Sequence, residues 1–222
     1  MHPAIFLPPT VLHPRTGCLG QFAVVSFLLM SVKLILASAS PRRAEILRNA
    51  GISFSVLSSA VDETPVPGET PQELVQRVAL AKAELVAARA IGPAIVVAAD
   101  TVVALERAVF GKPRTSEDAR QMLDQLSGRT HSVVTGVALI RLPDAERREF
   151  IETTQVHFAS VSKEEIDQYL ASGEPFDKAG AYAIQGLGGR FIPRIDGCYF
   201  NVVGLPLARL CRELAEMGWS EE

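Results

Sequence analysis

The sequence predicts an α/β fold around a mixed β-sheet, and three observations support this prediction. From residue 32 onward, short apolar runs typical of strands alternate with amphipathic segments typical of helices. Two long β-type runs, at 130–140 and 150–161, have only a polar stretch between them, which indicates an antiparallel hairpin. With 222 residues, 48% of them hydrophobic, the chain is large enough to bury a core. We expect one domain or two small lobes that share a sheet.

The amino-terminal half of this pattern alternates strands with capped helices. Its expected elements are, in order, a strand at 32–37, a helix over 41–49, a β-type run at 53–61, a helix over 71–90 and a strand at 94–99. Ser40 predicts the first helix start, because serine caps helices and the proline after it favours the first helical position. Thr70 and Glu73 predict the second start as a capping box. After the last strand, residues 102–105 either continue it or turn back.

The carboxy-terminal half predicts three more helices around the hairpin. They are a helix over 116–126 that stops at Gly128, a helix that ends at Gly173, and a closing helix over 206–217. Ser162 and Glu165 form the capping box of the middle one. Between the last two helices lies the segment 174–189, which is dense in glycine and other small residues, so that a ligand can approach its backbone closely.

The charge and the cysteine content exclude several classes of protein. The 22 basic residues nearly balance 25 acidic ones, so we expect no broad positive surface and no nucleic-acid partner. Cys18, Cys198 and Cys211 are widely spaced and form no CxxC pair, which argues against a disulfide framework and a thiolate zinc site. We expect a cytoplasmic protein.

Residues 1–29 differ in composition from the rest of the chain. They are rich in proline and glycine, and the apolar run at 22–30 is too short to span a bilayer. This run leads into the first strand without a small-residue cleavage site, which argues against a signal peptide. We expect residues 1–29 to be an extension, either disordered or upstream of a true start at Met30. Residues 30–222 then form the domain, with no membrane partner.

Four stretches of polar residues adjoin the predicted strands, where open α/β sheets bind ligands. The SASPRR turn offers Ser40, Arg42, Arg43 and free helix amides to a phosphate chain, although an ordinary capped helix with solvated arginines has the same pattern. Asp100 directly follows an apolar run, so we expect its carboxylate to emerge at the strand end. There it is placed either to bind Mg²⁺ or Mn²⁺ and activate water, or to serve as a turn residue.

The other candidates are acidic and basic side chains of loops and helices. Asp62 and Glu63 either supply a second carboxylate to the metal ion at Asp100 or form a solvated pair in a loop. Lys82 and Lys112 each suit neutralisation of phosphate charge, although surface lysines are common. Within 174–189, four side chains are placed to contact a ligand: Asp177, Lys178, Tyr182 and Gln185. Walker A, GxGxxG and GxSxG motifs are absent from the sequence.

Seven motifs, taken together and in order, resemble the Maf family of nucleotide pyrophosphatases over about residues 32–217. They are ILASASPRR, VDET, AADTVV, GKP, LSGRTHSVVTGVAL, EPFDKAGAYAIQG, and RIDG followed by VVGLPL. The resemblance implies a two-lobed Maf/ITPase-like fold around a long mixed β-sheet, with nucleotide in the cleft. It implies a hydrolase that cuts dTTP or UTP to the monophosphate and pyrophosphate, uses Mg²⁺ or Mn²⁺, and forms a homodimer.

The resemblance also implies a role for individual residues. Asp100 is the carboxylate that acts on the water, and Glu63 helps to hold the metal ion. The triphosphate is gripped by Arg43, Lys82 and Lys112. Specificity in the dTTP/UTP branch is associated with Arg42, Thr101 and Gln185. Two alternatives stay open: the same chemistry on another base, such as 7-methyl-GTP, and a nucleotide-binding regulator of cell division that needs no turnover.

Overall fold

A mixed β-sheet organises the part of the chain that the structure, a computed structural model, describes: residues 32–58 and 60–220. Within these residues the sheet has seven strands: β1 (Lys33–Leu36), β2 (Ser55–Val56), β3 (Ala94–Leu105), β4 (Ala108–Phe110), β5 (Thr130–Leu142), β6 (Arg147–His157) and β7 (Arg194–Asp196). Their order is β2-β1-β3-β5-β6-β7, and β4 also pairs with β3. β1 pairs in parallel with β2 and β3, whereas the other pairs are antiparallel, which confirms the predicted mixed sheet.

Six α-helices accompany the sheet in the described residues. They are α1 (Pro41–Asn49), α2 (Pro71–Ala87), α3 (Ser116–Leu126), α4 (Lys163–Ala171), α5 (Tyr199–Val203) and α6 (Leu207–Glu216). Short 3-10 turns occupy much of the glycine-rich segment, at Glu174–Asp177, Ala179–Ala181 and Leu187–Phe191. The five predicted helices are confirmed, and α5 was not predicted. The β-type run at 53–61 was too long a prediction, because among its described residues only those of β2 pair with a neighbouring strand.

The two faces of β3 pack against different helices, because successive side chains of a strand point to opposite faces. Val96 and Ala98 lie in a cluster with Ala83 of α2. Val97 lies on the other face, in a cluster with residues of α1 and α6 such as Leu210. The sheet is therefore covered on both sides, and neighbouring residues of β3 serve different layers.

An uncovered stretch of β3 lies between two short strands on the same edge. β1 pairs with residues 94–97 and β4 pairs with residues 103–105, so within the described residues no strand covers 98–102 on this edge. The prediction that Asp100 lies at a strand end was wrong, because β3 continues to Leu105 and Asp100 is only 7% exposed. The neighbouring strand β1 ends before it reaches Asp100, and this leaves that edge of β3 uncovered.

A glycine lets α2 approach the sheet next to this stretch. Gly136 of β5 lies opposite Asp100 in the strand register. A Cβ atom at Gly136 would lie 2.5 Å from the backbone oxygen of Val75 in α2, which is far too close. Glycine at this position therefore sets the distance between α2 and the sheet.

The expected extension, residues 1–29, and the expected start at Met30 lie outside the described residues. Among the residues that are described, none of the helices is both long and apolar enough to cross a membrane.

Candidate active site

A cleft of about 500 Å³ lies at the uncovered stretch of β3. Its lining combines residues 100–103 of β3 with the start of α1, the middle of α2 and the segment 178–185. Every sequence-predicted site residue lines it except Asp62 and Asp177. Asp177 contacts the cleft residue Arg42. The fold therefore brings together the residues that the sequence places far apart.

Two carboxylates share one buried ammonium group in this cleft. Lys82 Nζ lies 2.8 Å from Asp100 Oδ1 and 2.5 Å from Glu63 Oε1. Lys82 and Asp100 are both buried, whereas the side chain of Glu63 is 55% exposed. A buried charge is costly unless it is paired, so the close pairing explains why both ions are tolerated inside the fold.

The charges around Glu63 keep its carboxyl ionised. Burial raises the pKa of Glu63, but the hydrogen bond from Lys82 and the positive charges of Lys82, Lys112 and Arg43 outweigh it, so the pKa lies below its ordinary value. The exposed Lys112, which lines the cleft, therefore contributes to the lowered pKa of Glu63 through its positive charge. Asp62, the other candidate, instead accepts a hydrogen bond of 2.9 Å from the backbone amide of Thr64 and does not line the cleft.

Arg43 connects the start of α1 to Thr101, which lies on the face of β3 away from α2. Its Nε donates to the Gly204 carbonyl (2.8 Å), its Nη1 to Ser38 Oγ (3.2 Å) and its Nη2 to Thr101 Oγ1 (3.0 Å). Burial lowers the pKa of Arg43, and the nearby charge of Asp100 opposes this effect. All three nitrogens contact protein acceptors, so Arg43 orients Thr101 in addition to contributing positive charge to the cleft.

Thr101 also contacts a second buried threonine. Its Oγ1 lies 2.9 Å from Thr135 Oγ1, and Thr135 is fully buried in β5. Sequence reasoning did not identify Thr135, because its role depends on the register that places it opposite Thr101. The Thr101 face of β3 thus carries a hydrogen-bond network, in contrast to the ion pairs at Asp100.

Arg42 is tied to the glycine-rich segment. Its Nη1 donates to Asp177 Oδ2 at 2.8 Å, and its Nη2 donates to the Asp177 carbonyl at 3.3 Å. Asp177 also contacts Lys178, whose Nζ donates to the Glu174 carbonyl at 2.9 Å. The predicted residues Asp177 and Lys178 therefore join α1 to the turn at 174–178 at the cleft.

The start of α1 leaves hydrogen-bonding groups for a ligand. Ser40 is the N-cap residue, but its side chain makes no capping hydrogen bond, and Pro41 occupies the first helical position. A helix start with free amides favours anions. Among the described residues, six cationic side chains and two carboxylates, Glu63 and Asp100, line the cleft. The cations are Arg42, Arg43, Lys82, Lys112, Arg114 and Lys178. The cleft is therefore positive although the chain as a whole carries a charge of −3.

Tyr182 and Gln185 extend the wall on the glycine-rich side. Tyr182 is buried, and its hydroxyl lies 2.7 Å from His131 Nε2. Burial lowers the pKa of His131 to about 4, so this histidine is neutral at pH 7. Gln185 is exposed and lines the cleft.

The two carboxylates of the cleft can contribute some, but not all, of the ligands of a divalent metal ion. Within residues 32–58 and 60–220, no group of three or more His, Cys, Asp or Glu side chains is arranged to hold a metal ion. Glu63 and Asp100 supply two carboxylates, and Mg²⁺ commonly uses one or two carboxylates together with substrate phosphates and water. The residues therefore fit a metal ion that keeps ligands from outside the protein better than a metal cage made by protein alone.

Comparison with known proteins finds a matching family model, close relatives in sequence and a solved structure of similar fold. The family model described as Maf-like protein matches residues 33–217. The chain is 51% identical to the dTTP/UTP pyrophosphatase of Carboxydothermus hydrogenoformans over 85% of this chain and 100% of that protein. It is 48% identical to the dTTP/UTP pyrophosphatase of Halalkalibacterium halodurans over 84% of this chain and 97% of that protein. A solved HAM1 protein from Coxiella burnetii is similar at 16% identity, with a TM-score of 0.47 over 83% of this chain and 99% of that chain.

Proposed function

Because the chain belongs to the family of Maf-like proteins, we propose that it hydrolyses dTTP and UTP to the monophosphate and pyrophosphate. Relatives that this chain matches over 96–100% of their length and that bear the name dTTP/UTP pyrophosphatase support the activity and the substrates. The observation in the molecule that carries the proposal is the pairing of Asp100 and Glu63 with Lys82 inside a positive cleft.

Water attack on the α-phosphorus accounts for the products. The Asp100 carboxylate takes a proton from the attacking water as the new P–O bond forms, and the bond from the α-phosphorus to the bridging oxygen breaks, so that pyrophosphate leaves. Lys82 holds Asp100 in place through its 2.8 Å contact and offers positive charge to the phosphate oxygens. Lys112 and Arg114 line the same cleft and add to the charge that faces the triphosphate.

A divalent cation completes this proposal, and Mg²⁺ or Mn²⁺ suits the carboxylate ligands. Glu63 and Asp100 would hold it, and when bound it would neutralise phosphate charge and polarise the reacting oxygens. Titration of activity with each metal after treatment with a chelator tests the requirement. Activity that survives complete removal of divalent ions would contradict it.

The base is recognised on the other side of the cleft in this proposal. Thr101 is oriented by Arg43 and Thr135, and Gln185 is exposed where the edge of a base would lie. Arg42 lies close by, held by Asp177. A side-chain amide reads a pyrimidine edge through one donor and one acceptor, which suits thymine and uracil.

A panel of nucleoside triphosphates tests the reaction and the substrate together. Purified protein is incubated with Mg²⁺ or Mn²⁺ and each canonical and modified nucleotide, and the release of pyrophosphate and monophosphate is measured. We expect the highest kcat/KM with dTTP and UTP. Turnover of another base alone would retain the mechanism and reject the substrate, whereas tight binding without any turnover would indicate the nucleotide-binding regulator.

The assembly and the compartment are part of the same proposal. We infer a homodimer in the cytoplasm, on the resemblance of the motifs to the family and on three cysteines without a pairing pattern. Light scattering during size-exclusion chromatography measures the assembly directly. A monomeric mass at micromolar concentration would reject the dimer.

A further inference from the structure

One carboxylate outside the cleft lining holds the loop that directly follows Gln185. Glu174 Oε1 accepts hydrogen bonds from the Tyr169 hydroxyl (2.9 Å) and the Gly188 amide (2.9 Å). Its Oε2 accepts a hydrogen bond from the Leu187 amide at 2.8 Å. Burial raises the pKa of Glu174, but these hydrogen bonds outweigh it, so the pKa lies below its ordinary value and the group is ionised at pH 7.

The same residue fixes a second part of the cleft through its backbone. The Glu174 carbonyl accepts a hydrogen bond of 2.9 Å from Lys178 Nζ. Lys178 and Gln185 both line the cleft, whereas Glu174 does not. Glu174 is thus a junction that ties Lys178 to the amides two and three residues after Gln185.

Gly186 makes this arrangement possible. Its backbone has φ +85° and ψ −151°, a conformation that is essentially restricted to glycine. A Cβ atom there would lie 2.5 Å from Glu174 Oε2. The residue immediately after Gln185 therefore has to be glycine if the Glu174 carboxylate is to reach the Leu187 and Gly188 amides.

The Glu174 contacts are separate from the charged group that performs the chemistry. The carboxylate accepts hydrogen bonds from Tyr169 of α4 and from the Leu187 and Gly188 amides. In the part of the chain that the structure describes, it makes no hydrogen bond to Lys82, Asp100 or Glu63. A change at Glu174 therefore acts first on where Gln185 lies, and it leaves the water-activating carboxylate in place. This difference separates a positioning role from general support of the fold.

We propose that Glu174 is a positioning residue for base recognition, which sets the place of Gln185 by holding the loop after it. The inference rests on the proposed function, because it assigns Gln185 to the base. Glu174 contacts neither the substrate nor the reacting atoms in this role. It fixes the geometry on which selection between nucleotides depends.

Glu174→Gln tests the proposal with little change in shape. Oε1 of the glutamine can still accept from Tyr169 and Gly188, but its NH₂ group faces the donor amide of Leu187, so the loop loses an anchor. We expect kcat/KM for dTTP to fall by about tenfold, mostly through KM, and the ratio of kcat/KM for dTTP to that for GTP to fall by a similar factor. The kcat for dTTP should stay within about threefold of the parent value.

Glu165→Gln is the matched control at the other end of α4. Glu165 also accepts a backbone hydrogen bond, from the Ser162 amide at 2.8 Å, but it lies in the capping box and not beside the cleft. This variant should lose stability and keep the nucleotide ratio. The ratio of two kcat/KM values on one preparation does not depend on how much of it is folded, so a poorly folding variant still gives an answer.

Gly186→Ala provides a second variant, because its Cβ displaces the same carboxylate. We expect the nucleotide ratio to fall as in Glu174→Gln, and the double variant to show less than the sum of the two effects. An unchanged ratio in Glu174→Gln, or an equal loss of kcat for every nucleotide, would overturn the proposal. Failure of the parent protein to hydrolyse dTTP or UTP would instead reject the proposed function, so the two failures are distinguishable.

Discussion

The two faces of β3 contribute different chemistry to one cleft. On the α2 face, Lys82 forms ion pairs with both Asp100 and Glu63. On the other face, Thr101 takes part in a network of mostly neutral acceptors and hydroxyls that includes Thr135. Consecutive residues of a strand point to opposite faces, so a single dipeptide at an uncovered edge places a carboxylate on one side and a hydroxyl on the other. In the proposed function these are the reactive group and a recognition group. The comparison predicts that substitutions on the two faces alter different kinetic constants.

Removal of the charge at Asp100 should have the largest effect. Asp100→Asn keeps the size of the side chain but cannot accept the proton of the water, so kcat should fall by about 10³-fold while nucleotide still binds. Initial rates of pyrophosphate release and equilibrium binding of dTTP measure the two parts. Asp62→Asn is the control, because its exposed carboxylate lies outside the cleft lining. A similar loss in the control, or a fully active Asp100→Asn, would contradict the assignment.

Gly136→Ala should disturb the packing between α2 and the face of β3 that carries Asp100. The added methyl collides with the Val75 backbone and should push α2, and with it Lys82, away from Asp100. Overpacking of this kind costs about 1–3 kcal/mol of stability. We expect a lower melting temperature in thermal unfolding, together with a fall in kcat that is the same for every nucleotide. Parent-like stability and kcat would show that the spacing of α2 does not depend on this glycine.

Acid should lower the stability of the folded protein through His131, which contacts Tyr182 of the glycine-rich segment. This buried residue has a pKa of about 4 in the folded protein against 6.5 for an ordinary histidine, so the unfolded chain binds more protons between these values. Stability should therefore fall as the pH drops from about 6.5 to about 4. His131→Phe should flatten this slope in pH-dependent thermal unfolding, although Tyr182 loses a partner. His157→Asn, at a half-exposed position, is the control and should keep most of the pH dependence of stability. Equal slopes in the parent and in His131→Phe would refute the assignment.

Thr135→Val should produce the smallest effect. The change removes the hydroxyl 2.9 Å from Thr101 Oγ1 while the buried site stays filled, so about 1 kcal/mol of stability should be lost. We expect KM for dTTP to rise slightly and kcat to stay unchanged, because Asp100 lies on the other face. Denaturant unfolding and steady-state kinetics measure both effects. Thr153→Val, exposed on β6, is the control and should change neither.

The helix starts were predictable because their determinants are local. Thr70 and Glu73 form a reciprocal capping box, in which Glu73 Oε2 accepts from the Thr70 amide at 2.8 Å. Ser162 and Glu165 repeat this arrangement at the start of α4. Such contacts span three residues, so the sequence alone contains them.

The opening of the cleft was not predictable in the same way. It depends on where β1 ends relative to the register of β3, a contact between segments about sixty residues apart in the chain. The roles of Thr135 and Glu174 also depend on distant pairing, through β5 and through the loop at 186–188. The motifs predicted which residues line the cleft, whereas the hydrogen-bond and ion-pair partners of these residues follow only from the fold.

The division of roles between the faces of β3 is tested most directly by one comparison of two variants on the same nucleotide panel. Glu63→Gln, on the Asp100 side, should lower kcat/KM for dTTP, UTP, dCTP and GTP by one common factor. Gln185→Ala should change the ratios between these nucleotides and leave kcat for the best substrate within about threefold. If Glu63→Gln altered the ratios, or if Gln185→Ala lowered every kcat/KM equally, the two sides of the cleft would not have separate roles.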